Sequence, residues 1–168
     1  MEVSARPAVA VDADSLAALA TQVWLHTYAT DGVTPSLARY VLQEFTPANF
    51  LSLLARTDAQ VLVAESGNAL LAYATLAFQA ARPDGRQGTE LATLYVQEHF
   101  TGAGLGSMLL GQCRQIAQSR SGDAEIWLTV NARNRRAMDF YRKHGFVRNG
   151  TSYFELDGEK HENHVLIG

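Results

Sequence analysis

ELATLYVQEHFTGAGLGSMLL, from Glu90 to Leu110, reads as a strand that runs into a glycine-rich turn and then straight into a helix. Thr89 to Val96 is rich in aliphatic, aromatic and β-branched residues, and Gly102-Ala103-Gly104 breaks that pattern. Apolar residues then recur at helical spacing as Leu105, Met108, Leu109, Cys113, Ile116 and Ala117. The first N–H groups of a helix have no acceptor within it. A helix starting at Leu105, together with the turn before it, therefore offers backbone donors to an anion, most naturally a phosphate.

Upstream, Gln60 to Glu65 and Leu70 to Phe78 are strand-like runs around Ser66-Gly67-Asn68, a hairpin signal. Ala80 to Gly88 is polar and reads as a loop. Ala8 to Val11 reads as a short edge strand, with Asp12 or Asp14 capping a helix whose apolar stripe is Leu16, Leu19, Ala20, Val23 and Trp24. Thr30 to Pro35 interrupts that helix, and Ser36 is the expected cap of a second one carrying Leu37, Tyr40, Val41 and Phe45 on one face. Thr46-Pro47 opens a short third helix. Downstream, Asp123 to Val130 is strand-like, a helix runs through Lys143 to a stop at Gly145, and Phe146 to Leu156 and His161 to Ile167 form strands turning at Asp157-Gly158. This order predicts one α/β domain over residues 1–168 with a mixed sheet.

The chain has 168 residues, 47% of them hydrophobic and 18% charged, with a formal net charge of −3. Such a chain buries a core, and its mild acidity speaks against nucleic-acid binding. Cys113 is the one cysteine, so no internal disulfide forms and a reducing compartment fits. No apolar run approaches the ~20 residues of a membrane helix, and the N-terminus lacks a basic segment followed by an apolar one. The expectation is a cytoplasmic monomer or homodimer that acts on small molecules away from membranes.

A glycine-rich turn between strand and helix is shared by several nucleotide-binding folds. Here no Gly-Lys-Ser/Thr ending follows, and no acidic residue stands about twenty positions on in a βαβ setting, which sets aside P-loop and dinucleotide folds. What remains is Thr101-Gly102-Ala103-Gly104-Leu105-Gly106, followed by Asn134-Arg135-Arg136-Ala137-Met138-Asp139-Phe140-Tyr141-Arg142-Lys143-His144-Gly145-Phe146. The first matches an Arg/Gln-x-x-Gly-x-Gly/Ala turn and the second an Asn-x-x-Ala-x-x-Phe-Tyr-x-x-x-Gly-Phe helix and strand. In this order the chain resembles the GNAT superfamily of acetyl-CoA-dependent N-acetyltransferases over nearly its whole length. Thr101 departs from the pattern, because Arg or Gln usually stands there.

The resemblance implies a mixed, mostly antiparallel sheet splayed at its centre with helices on both faces. It implies that Thr101, Gly102, Ala103, Gly104, Leu105 and Gly106 hold the coenzyme A pyrophosphate, with Arg133 or Arg135 available to supply the cation missing at 101. The backbone of Leu94, Tyr95 and Val96 would pair with pantetheine, and Val96 N–H would face the oxyanion. Asn134 would contact the pantetheine arm and the Tyr141 hydroxyl the thioester sulfur. The spacing of Asn134 and Tyr141, seven apart, puts both on one helix face. Tyr141 is thus the candidate proton donor, since a phenol near ~10 can protonate a thiolate near ~8.5.

Glu90 is the candidate base, directly or through water. On a strand it shares a face with Ala92, Leu94 and Val96, and it resembles the base in family members with a Glu at the head of this strand. An alkyl amine with pKa ~10.4 must lose a proton before attack, and burial would have to lift a carboxyl from ~4.3 for it to serve. No metal is expected: His161 and His164 are three apart and do not share a strand face. Cys113 lies about 14 Å of helical rise beyond Gly104, on the buried stripe, and reads as core. Trp24, His26 and Tyr28, with Asp31 and Glu44, look similar to the acceptor region of the bacterial polyamine (spermine/spermidine) acetyltransferase branch. A protein N-terminal amine or an aminoglycoside are alternative acceptors, and a non-catalytic acyl-CoA sensor is the reading from another class.

Overall fold

A carboxylate near the N-terminus shows how the first elements are held. Asp12 is 7% exposed and accepts from Val9 N–H at 2.8 Å and from both terminal nitrogens of Arg6, at 2.8 and 3.0 Å. Arg6 also forks onto Glu65, at 2.9 and 2.7 Å. Strand β1 is Ser4–Pro7, paired antiparallel with β2, Ala59–Ser66. The edge strand therefore lies before the run Ala8 to Val11. Val9 and Val11 are exposed, and Ala10–Asp12 coils into a 3-10 turn closed by the Asp12 carboxylate. Apolar composition misplaced the strand because the ion pair, not side-chain burial, fixes it.

In the computed structural model, which describes residues 1–168, five α-helices and seven strands follow in chain order. Helix α1 is Ala13–Tyr28. Neither Asp12 nor Asp14 caps it: Asp12 stands at the cap position, but its carboxylate is engaged by Arg6 and Val9. Helix α2, Pro35–Glu44, is capped by Thr34 rather than Ser36, Thr34 Oγ1 accepting from Leu37 N–H at 3.3 Å. Pro35 occupies the first helical turn, where its missing N–H costs nothing, and this moves the cap upstream. Helix α3, Pro47–Leu54, has the same device in Thr46 and Pro47.

Strand β3 is Ala69–Ala81 and β4 is Gln87–Val96, so the loop between them is shorter than the polar stretch suggested. Arg82 closes it: its N–H donates to Arg86 O at 2.8 Å, and its side chain reaches Asp84 at 2.8 Å and Glu125 at 3.1 Å. Then come α4, Leu105–Ser121; β5, Ile126–Asn131; α5, Arg135–Lys143; β6, Val147–Leu156; and β7, Glu159–Ile167. The strands hydrogen-bond in the order β1-β2-β3-β4-β5-β7-β6 as an open sheet. The β4–β5 pair is parallel, whereas β1–β2, β5–β7 and β6–β7 are antiparallel, which makes the sheet mixed. No helix is long and apolar enough to cross a membrane.

Two compact units are present: Met1–Thr75 with Thr93–Gly111, and Leu76–Ala92 with Gln112–Gly168. In the first, Leu16, Leu19 and Ala20 of α1 pack with Phe50, Val61, Val63 and Tyr73, and Val23 and Tyr95 lie against this cluster. In the second, Cys113, Ile126, Leu128 and Val165 are fully buried. There the Arg114 guanidinium sits 5.0 Å from the Phe146 ring centre and donates to His144 O at 2.8 Å, tying α4 to the end of α5.

Arg6 holds the Asp12 carboxyl below the usual carboxylate range, chiefly through their hydrogen bonds. Stability from a depressed carboxyl is present above the unfolded pKa, ~3.9, and is lost as pH falls through the folded one. Arg6→Ala is expected to lower unfolding stability by about 1.5–3 kcal/mol at neutral pH. In urea titrations from neutral pH into acid, the wild type should lose this increment below pH ~4 and the variant should show a flatter acid limb.

Candidate active site

Strand β4 forms because Leu91, Thr93, Leu94, Tyr95 and Val96 suit a pleated, half-buried surface. Its parallel ladder with β5 holds two register positions, Thr89 opposite Ile126 and Glu90 opposite Trp127. Leu91 to Val96 have no β5 partner in that ladder, although β4 continues through them. Backbone donors and acceptors left unpaired in this way need partners from elsewhere. Glu90 thus marks the point where the pairing stops. It is half-buried, and burial pushes its carboxyl pKa up from the ordinary value.

The first unit carries the backbone from Leu94 through Gly106. Tyr95 packs T-shaped on Tyr73 with ring centres 5.5 Å apart, and Gln97 N–H donates to Leu71 O at 2.9 Å. A 3-10 turn at Glu98–Phe100 leads into Thr101, whose hydroxyl donates to Glu98 O at 2.8 Å. That proton is committed to the turn, so Thr101 offers a phosphate no side-chain donor in this arrangement. Gly102 and Gly104 have φ of +81° and +83°, the left-handed region that glycine enters without strain. A Cβ at either would meet nothing within 4 Å, so backbone conformation, not space, requires glycine there. Helix α4 begins directly after, so its first N–H groups and the turn lie in one continuous run.

The same unit holds the residues suggested for the acceptor region. Trp24 stacks on Tyr40 at 4.6 Å and meets Tyr28 at 4.8 Å. Burial raises the Tyr28 and Tyr40 phenols, and Glu44 adds to the shift at Tyr40. His26 Nε2 lies 3.4 Å from Glu98, joining α1 to the turn before the glycines. Asp31 and Glu44 are exposed. The spacing of Trp24 and Tyr28 on one helix was legible, but their partner Tyr40 comes from another helix and left no sequence signal.

Asn134 and Tyr141 lie in the second unit with Glu90. Asn134 stands at the start of α5, seven residues before Tyr141, and its carbonyl accepts from Met138 N–H at 3.1 Å. It is the N-cap of α5, and its Oδ1 accepts from Ala137 N–H at 3.1 Å. Asn131, outside both sequence motifs, sets up this turn by accepting from Arg133 N–H on its Oδ1 at 2.9 Å, an Asx-turn that the Asn-x-Arg sequence signals. Tyr141 is 8% exposed, its ring 5.3 Å from Phe140 and 5.4 Å from Phe146. Burial raises its phenol well above the usual range, with Cys113 adding to the effect, so it is neutral at physiological pH. Gly145, φ +84°, ends α5, and Phe146 N–H returns to Tyr141 O at 3.0 Å. The Cys113 thiol is fully buried and pushed up to about 12, as a core residue would be.

Residues 21–146 match the family model described as the acetyltransferase (GNAT) family. An uncharacterised N-acetyltransferase of Mycobacterium tuberculosis is 33% identical over 156 residues, covering 93% of this chain and 96% of that protein. The crystal structure of PaiA N-acetyltransferase from Thermoplasma acidophilum in complex with coenzyme A superposes with a TM-score of 0.78 at 22% identity, covering 99% of this chain and 98% of that one. A GNAT-family acetyltransferase from Streptococcus pneumoniae gives a TM-score of 0.70 at 25% identity, covering 99% and 98%.

The cap at Asn134 stabilises the start of α5. Asn134→Ala is expected to lower stability by about 1 kcal/mol, whereas Asn134→Asp, which keeps the acceptor oxygen, should stay within a few tenths of wild type. Urea midpoints for the two variants check this.

Proposed function

The chain belongs to the acetyltransferase (GNAT) family, and from that premise we propose that it moves an acetyl group from acetyl-CoA to a primary amine by direct attack, with small amines and polyamines as favoured acceptors. The observation that carries this reading is Glu90, a half-buried carboxyl with a raised pKa at the residue where the β4–β5 ladder ends. A carboxyl of that kind is a better proton acceptor than an exposed one. An amine of pKa ~10.4 arrives protonated and becomes a nucleophile once Glu90, directly or through water, has taken its proton.

The other roles follow from each residue's local structure. The N–H groups of Gly102, Gly104, Leu105 and Gly106 suit the coenzyme pyrophosphate, since two left-handed glycines and a helix start give backbone donors without a side-chain clamp, while Ala103 N–H is given to Phe100 O at 3.4 Å. Thr101 contributes to that turn by bracing it against Glu98 O. Leu94, Tyr95 and Val96 offer strand backbone to the pantetheine arm, and Val96 N–H suits the oxyanion. The Asn134 side-chain NH2 is free of its capping duty and can meet the same arm. Tyr141, neutral because it is buried, holds a proton for the departing thiolate. The acetyl thioester supplies the acyl group, and the chain supplies position and protons.

The preference for a polyamine rests on exposed Asp31 and Glu44, which can meet a second cationic centre, and on the aromatic face of Trp24, Tyr28 and Tyr40, which favours cations.

Purified protein given acetyl-CoA and a panel of polyamines, aminoglycosides and N-terminal peptides should release free thiol with at least one polyamine or small amine. Tight coenzyme binding with no thiol release from any amine would sink the proposal. Tyr141→Phe is expected to lower kcat by roughly 10²-fold while the acetyl-CoA dissociation constant stays near wild type. If Glu90 is the base, rate climbs with pH as its carboxyl deprotonates, and the raised pKa places that limb above ~4.3. Glu90→Gln should abolish the limb, and a pH–rate profile records it.

A further inference from the structure

Strand β6 stands last in the strand order, so its outer edge has no ladder partner in the chain. Such edges invite pairing with another strand and are commonly blunted by brevity, lysine or proline. β6 runs ten residues, Val147–Leu156, without Lys or Pro, and carries one bulge and two charges, Arg148 and Glu155. It also exposes large side chains, Val147 at 65%, Tyr153 at 67% and Phe154 at 37%.

Its pairing with β7 fixes which side chains share a face. Arg148 stands opposite Leu166 and Gly150 opposite Val165, so Asn149 is the extra residue of a bulge. Beyond it, Thr151, Tyr153 and Glu155 oppose His164, Glu162 and Lys160 in steps of two. The bulge therefore puts Arg148 on the face of Thr151, Tyr153 and Glu155, while Val147 joins Gly150, Ser152, Phe154 and Leu156 on the other. Without the bulge, Arg148 and Glu155 would point to opposite faces.

We propose that the free edge of β6 pairs antiparallel with β6 of a second copy of this chain about a two-fold axis at Ser152. Residues directly opposite each other across an antiparallel pair must share a face. With the axis at Ser152, Thr151 meets Tyr153 of the second copy, Gly150 meets Phe154, Arg148 meets Glu155 and Val147 meets Leu156, and every pair obeys that rule. Each occurs twice by symmetry. The strand is self-complementary in charge at Arg148 and Glu155, in shape where Phe154 covers a glycine, and in polarity where Val147 meets Leu156. Other registers that keep the faces matched shift the axis by one residue along the strand. With it at Thr151, Arg148 meets Tyr153; with it at Tyr153, Arg148 passes the end of the partner strand. Neither forms the ion pair.

Within its own copy Arg148 already bonds Thr151 Oγ1 at 2.8 Å and lies 3.6 Å from Glu162. The second copy's Glu155 adds a carboxylate to that exposed group, and Lys160 stands beside Glu155 on β7.

Sedimentation of the full chain between roughly 1 and 100 μM, the range of reversible dimers, tests the pairing. The wild type should dimerise. Arg148→Glu and Glu155→Arg should each raise the dissociation constant about tenfold or more, because two attractive pairs become repulsive. Mixing the two variants in equal amounts should restore a dimer, now mixed, because the acidic variant strand then faces the basic one and both cross-strand pairs are again of opposite charge. Should a single variant lose its circular dichroism, the double charge exchange Arg148→Glu with Glu155→Arg carries the test, and it should dimerise like wild type. A wild type that stays monomeric throughout, a dimer that both single variants leave intact, or variants that neither mixing nor double exchange rescues would overturn the assignment.

Discussion

The parallel pairing of β4 with β5 lasts for two residues, and the candidate site depends on it. A strand that continues past its partner keeps backbone donors and acceptors that the sheet does not satisfy. In β4 the stretch from Leu91 to Val96 has no β5 partner in that ladder while the strand stays paired with β3, and the chain then turns through two left-handed glycines into α4. Strand backbone outside the β5 ladder, followed by the start of a helix, makes a polar edge built of main chain. The Thr101 hydroxyl adds nothing to that edge, because it is turned to Glu98 O.

Burial then sets the protonation states. Glu90 and Tyr141 are both shifted upward by desolvation, with opposite consequences. A raised carboxyl becomes a more willing proton acceptor, whereas a raised phenol stays a donor at every physiological pH. Cys113 is raised by the same physics and becomes inert, since a thiol that titrates at about 12 presents no thiolate near neutrality. One physical effect thus raises a carboxyl, a phenol and a thiol alike.

Not all electrostatic features belong to chemistry. Arg6 with Asp12 and Glu65 joins β1, the 3-10 turn and β2, and Arg82 with Asp84 and Glu125 closes the β3–β4 loop. Two of these pairs left no sequence signal because Glu65 stands 59 positions from Arg6 and Glu125 stands 43 from Arg82. The misplacement of the first strand at Ala8 to Val11 has this cause: hydrophobicity pointed to Val9 and Val11, which are exposed, while a salt bridge held the strand at Ser4–Pro7. The shift of the second helix cap from Ser36 to Thr34 is a local matter of Pro35, and was within reach of the sequence.

Elements whose signals are local were legible: the β2–β3 hairpin, the glycine turn into α4, the stop at Gly145 and the buried stripe of α4. Periodicity, glycine conformation and helix ends act over a few residues, so the sequence by itself determined that this is a mixed α/β chain with a glycine turn opening a helix, and its two motifs pointed to the family. Contacts between distant segments were decided by tertiary structure alone. It stopped the β4–β5 ladder at Glu90, turned the Asn134 Oδ1 to Ala137 N–H, brought Tyr40 onto Trp24 and buried Tyr141 among rings. Desolvation and strand register depend on what lies across space from a residue, and no spacing along the chain encodes that.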